Sequence, residues 1–124
     1  MDPRRAAGLL AAGRAALGAA ILVAPEAVTS RWLGEQASHP VVRYLARSLG
    51  ARDLALGVLA LRTLDDSRAA AQVQGACAVA DSVDALATVA ARAELPPVGA
   101  LGTVAVAGAA AVAGFYLSRA LADA

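Results

Sequence analysis

Five ionisable residues, Arg14, Arg52, Asp53, Asp81 and Asp84, interrupt stretches that are otherwise long and apolar, and no other feature constrains the chain as much. The apolar stretches run over 6–24, 44–61, 69–91 and 98–117. Each is about 18 to 23 residues, the length an α-helix needs to cross roughly 30 Å of hydrocarbon at about 1.5 Å per residue. The expected fold is therefore all-α: a four-helix transmembrane bundle with short loops, formed by residues 1–124 as one integral membrane domain. Within the first connection, Pro25 opens a segment that ends at Gly34, a pattern that suits a short interfacial helix carrying Trp32 and Leu33.

Composition points the same way. Hydrophobic residues make up 59% of the chain and charged residues 17%, against roughly half and a quarter in ordinary soluble domains. The net charge of +1 gives no electrostatic footprint for nucleic acid, so a nucleic-acid partner is excluded from the reading. A single cysteine, Cys77, rules out a disulfide scaffold and reads as a small packed thiol. Partners follow from the apolar surface: the lipid bilayer first, then further copies of the chain or a larger membrane complex. A cell-membrane, multi-pass location is expected. Arg4, Arg5, Arg62, Arg68 and Arg119 share the side of the termini, against Arg31, Arg43 and Arg92, and the excess favours cytoplasmic termini.

Two other architectures compete. A cleavable signal peptide would explain Arg4 and Arg5 before an apolar run, but Arg14 breaks that run in the middle. A soluble Ala-rich bundle fits the short loops, yet residues 98–116 offer no charged face to water.

The five interrupting charges fall at similar depths, each within about 6 Å of the centre of its stretch at helical rise. An unpaired charge at that depth costs at least about 2.5 kcal/mol. The five are therefore expected to face one another inside the bundle. Two arginines meet three aspartates, and Arg47 is the candidate that would balance the set. Asp81 and Asp84, three residues apart, share a helix face. Such a network reads either as interhelical glue or as a buried acid or proton relay in a lipid-modifying enzyme or small transporter. No catalytic residue is assigned.

Metal and cofactor chemistry finds little footing. Asp81-Ser-Val-Asp84 has the spacing of some diphosphate-binding motifs, but Ala85-Leu86-Ala87 does not continue the CDP-alcohol phosphotransferase pattern and no histidine lies near. His39 stands alone before Pro40 and reads as solvated. Gly50 and Gly57 lack a nucleotide-binding spacing and a preceding strand. No metal and no cofactor is expected. Small residues instead form ridges, Gly99, Thr103, Ala107 and Ala111 late in the chain and Gly8, Gly13 and Gly18 early in it, which predict close helix contact.

The segment Arg47-Ser-Leu-Gly50-Ala51-Arg52-Asp53-Leu-Ala-Leu-Gly57 resembles a family of small four-helix actinobacterial membrane proteins grouped as a domain of unknown function. Arg14, Pro25, the turn Trp32-Leu33-Gly34 and the acidic run Ala80-Asp81-Ser-Val-Asp84 extend the likeness over most of the first 90 residues. It implies a membrane location and a helical bundle, and carries no activity.

Overall fold

The computed structural model describes Met1–Ala124 and contains five α-helices and no strand. These are α1 (Pro3–Val23), α2 (Pro25–Leu33), α3 (Pro40–Arg62), α4 (Ser67–Ala90) and α5 (Pro97–Ala122), with a 3₁₀ turn at Gly34–Ser38 between α2 and α3. All but α4 start on proline, whose fixed φ suits the first helical turn and whose missing N–H would be unpaired there anyway. Side chains complete three of the starts. Asp2 accepts from the Arg5 amide at 2.9 Å, Asp66 from the Ala69 amide at 3.0 Å, and His39 Nδ1 from the Val41 amide at 3.3 Å. His39 is exposed, as a solvated residue is, but it also caps α3, which is why that helix begins at Pro40 and not at residue 44.

The expectation of a four-helix bundle with four transmembrane helices is overturned. The molecule has five helices, and only α1 and α5 are long and apolar enough to cross a membrane, with mean hydropathies of 1.8 and 1.9 over their best stretches. The other two long helices are too polar. Arg43, Arg47, Arg52, Asp53 and Arg62 interrupt α3, while Gln72, Gln74, Asp81 and Asp84 dilute α4. Helix length alone does not restore the apolar character that these charged and amide side chains remove.

Burial separates α1 and α5 from the core helices of a soluble protein. Only 22% of the apolar stretch of α1 and 28% of that of α5 is buried, and several of their large apolar side chains face outward. Leu9 and Leu17 on α1 and Leu101, Val106, Val112, Phe115 and Tyr116 on α5 are all exposed. Exposed apolar surface of this kind suits an apolar solvent, and it makes α1 and α5 the chain's two candidate membrane-crossing helices.

Packing divides the long helices into two close pairs, α1 with α3 and α4 with α5, joined by much sparser contact. Glycine sets the close approach. A Cβ on Gly57 of α3 would lie 2.6 Å from the Ala15 nitrogen of α1, and one on Gly18 of α1 would lie 2.6 Å from the Gly50 oxygen of α3. In the second pair, a Cβ on Gly114 would meet the Ala78 Cβ at 2.9 Å. The largest apolar cluster, Ala7, Ala70, Ala71, Leu117 and Leu121, ties α1, α4 and α5 together at the end that holds both termini. At the opposite end Gly99 of α5 sits against the backbone of Trp32, which fastens α2 to the start of α5.

Gly34 ends α2 with φ 60° and ψ −137°, a backbone conformation reserved for glycine. Space is not the constraint, since an added Cβ would have only the Pro96 Cγ near it, at 3.8 Å. Gly34→Ala is expected to cost about 1–2 kcal/mol through backbone strain alone, measured as a lowered unfolding midpoint in mild detergent.

Candidate functional site: a buried arginine and aspartate network

The five charged residues singled out by sequence all converge at the seam between the helix pairs. Arg14 leaves α1 and Arg52 and Asp53 leave α3, while Asp81 and Asp84 leave α4. The i, i+3 spacing of the two α4 aspartates turns both toward the first pair. Each arginine then bridges two carboxylates. Arg14 Nη1 donates to Asp53 Oδ1 at 3.3 Å and Arg14 Nη2 donates to Asp81 Oδ2. Arg52 grips Asp84 with both terminal nitrogens, at 3.1 and 2.5 Å, the two-pronged geometry that a guanidinium offers a carboxylate. Its Nε and Nη2 also reach Asp53 Oδ1, at 3.3 and 3.1 Å.

Asp53 is thus the hinge of the network, shared by both arginines within the first pair. Asp81 and Asp84 are held from across the seam. The network has a dry side and an open side. The side chains of Arg14, Asp53 and Asp81 are 8, 11 and 9% exposed, whereas those of Arg52 and Asp84 are 35 and 31% exposed.

Arg47 does not join. Its guanidinium is exposed and its Nε donates to the Leu22 carbonyl at 3.4 Å, so it ties α3 to the end of α1 instead of balancing the charges. Two arginines therefore face three aspartates.

Sequence reasoning missed Gln74. It is 2% exposed and its Nε2 donates to the Ala7 carbonyl at 3.3 Å, a second polar bridge from α4 to α1. A signal was available, because Gln74 lies seven residues before Asp81 and so on the same face of an Ala-rich helix. Cys77 is buried one turn before Asp81, packed as expected of a small thiol. Ser118 Oγ donates to the Ala71 carbonyl at 2.7 Å and strengthens the contact of α5 with α4.

No buried side-chain nitrogen or oxygen in the molecule lacks a hydrogen-bond partner. No three His, Cys, Asp or Glu side chains converge as metal ligands would, because an arginine stands between the aspartates. Of the shallow surface grooves, one is lined by Ser67, Arg68, Gln72 and Ser118 and another by Leu22, Leu54, Val58 and Arg62, and no network residue lines either. The arrangement holds helices together and concentrates carboxylates at one point of the seam.

Compared with known protein families, characterised proteins and solved structures, the chain matches none.

Proposed function

We propose that the protein is a small structural or accessory membrane protein, in which the Arg14, Arg52, Asp53, Asp81 and Asp84 network locks two helix pairs into one body. The completeness of the pairing carries this reading. Each of the five charges has an opposite partner within ion-pair distance, and three of the four ion pairs that make up the network join different helices. Other contact between the two pairs is sparse, so the polar contacts across the seam carry much of what holds one against the other. The protein passes through the cell membrane more than once, by α1 and α5. Its termini lie together beside the Ala7 and Leu121 cluster, and the arginines at that end favour the cytoplasmic side.

A second reading rests on one specific observation, the surplus carboxylate. With Arg47 outside the network, three aspartates meet two arginines, and a cluster of that balance suits an intramembrane acid or proton carrier.

One experiment separates the two. The double substitution Asp81→Asn with Asp84→Asn removes both cross-seam charges at nearly constant volume. The structural reading expects the variant to accumulate to a small fraction of wild-type level and to be cleaved rapidly by protease in mild detergent. A variant that is as abundant and as resistant as wild type contradicts it. If that intact variant also loses a proton uptake that wild-type protein shows in vesicles, the second reading gains the support.

A further inference from the structure

Between the first turns of α4 and the last turns of α5 runs a groove of about 530 Å³ that takes no part in the network. Its walls carry Ser67, Arg68 and Gln72 from α4 and Ser118 and Ala122 from α5, and Ala71 and Leu121 form an apolar floor. Arg68 and Gln72 stand four residues apart and so share a helix face. Side-chain hydrogen bonds in this region are made by Arg4, Asp66 and Ser118, which leaves the guanidinium of Arg68 and the amide of Gln72 without an acceptor in the chain. Arg4 of α1 brings a second guanidinium to the rim, where its Nη2 donates to Ser67 Oγ at 3.2 Å. The ion pairs of the molecule use Arg14, Arg43 and Arg52, so neither Arg4 nor Arg68 has a carboxylate within ion-pair distance. Nearby acids are engaged elsewhere or stand apart: Asp2 caps α1, Asp66 caps α4, and Asp65 is exposed and unpaired.

We infer that this groove binds the headgroup phosphate of an anionic phospholipid, with Arg68 and Arg4 meeting its oxygens and Gln72 and the Ser67 hydroxyl donating to it. Two guanidinium groups without carboxylates call for an anion, and a phosphate offers oxygens in pairs to the fork of N–H groups that arginine presents. Ser67 Oγ accepts from Arg4, which leaves its own hydrogen free for the ligand. What selects a lipid over a free anion is the apolar strip that continues from the groove. Ala76 and Val79 follow Gln72 on its face of α4, Phe115 lies on the Ser118 face of α5, and all three are exposed. A charged end that passes into an apolar strip matches a headgroup and its acyl chain. The inference rests on the membrane reading given above through α5 alone, whose last turns would stand at the headgroup layer. Helix α4 borders the groove because it packs on α5, whatever its own hydropathy.

Lipid retention by the purified full chain in mild detergent tests the site. Offered phosphatidylglycerol and phosphatidylcholine in equal amounts, the wild-type protein is expected to keep at least about fivefold more of the anionic lipid. Arg68→Gln should lower the retained phosphatidylglycerol about fivefold, and Arg4→Gln added to it about 25-fold in all. Arg68 makes no hydrogen bond or ion pair within the chain, so its variant should unfold at the wild-type midpoint. Ala122→Trp fills the groove while keeping every arginine, and should lose the lipid as the double variant does. Arg31→Gln, on α2 at the opposite end, should keep it. Unchanged retention in Arg68→Gln and Ala122→Trp overturns the proposal, as does equal retention of the two lipids by wild type. Inorganic phosphate in large excess should leave the lipid bound, and displacement by it would assign the groove to a free anion and overturn the lipid site. Protein that stays dissolved without detergent sinks the membrane reading itself, whereas protein that needs detergent and retains neither lipid sinks the headgroup site alone.

Discussion

Arg14→Leu is expected to be among the most damaging single substitutions in the chain, costing about 3–5 kcal/mol of stability. The reason lies in what is left behind. Asp81 has Arg14 as its one ion-pair partner, and its side chain is 9% exposed, so removing the guanidinium strands a carboxylate in a dry seam. Asp53 is better placed, since Arg52 still holds it at 3.1 Å. Arg14→Lys is expected to fall between the variant and wild type, because one ammonium cannot spread over two carboxylates as the two nitrogens of Arg14 do. Unfolding of the purified protein in mild detergent, titrated with denaturant, gives the ranking directly.

Gly57→Ala is expected to cost about 3 kcal/mol or more, from a single added methyl group. The Cβ would lie 2.6 Å from the Ala15 nitrogen and 2.8 Å from the Ala11 oxygen, and both are backbone atoms of α1 that no rotamer change can move. Relief requires α1 and α3 to separate along their length, which loosens Gly18 and Gly50 as well. The same methyl group should have the opposite effect where nothing stands in its way. Gly13, Gly102 and Gly108 have no atom within 4 Å of an added Cβ, so alanine there is expected to be neutral or stabilising by up to about 1 kcal/mol through helix propensity. A series of glycine to alanine variants measured under one unfolding condition should therefore split into two signs. Equal effects at Gly57 and Gly102 would contradict the packing described above.

The network was legible because charges in apolar helices are scarce, and their depth can be read from helical rise before any contact is known. Arg14, Arg52, Asp53, Asp81 and Asp84 could be grouped on that ground alone. Arg47 could not be sorted in the same way. It lies about one and a half turns before Arg52, and helical rise does not say whether a long side chain will reach inward or end on a nearby carbonyl such as that of Leu22. Helix starts were partly visible through proline, but the cap supplied by His39 moved the start of α3 to Pro40. The number of membrane-crossing helices is not legible from length for a different reason. Length between breakers does not measure hydropathy, and Gln72, Gln74 and the charged residues of α3 and α4 lower that of their helices.

The division into two tight pairs was hidden for a further reason. Alanine and glycine are spread over every long helix, so composition does not say which small residue faces which. Gly18 opposes Gly50, and Gly57 opposes Ala11 and Ala15, only because α1 and α3 cross at a particular register. Once that register is known, the purpose of the charges changes. Within each pair the backbones already touch, so the network is needed at the seam.

A double-mutant cycle on Arg14 and Asp81 tests that role most directly. Stability is measured for wild type, Arg14→Leu, Asp81→Leu and the double variant in the same mild detergent. The account predicts that the double variant is more stable than the sum of the single losses allows, with a coupling of at least about 2 kcal/mol, because a leucine pair strands no charge. Losses that add to within about 0.5 kcal/mol would mean that the two residues do not hold the seam together.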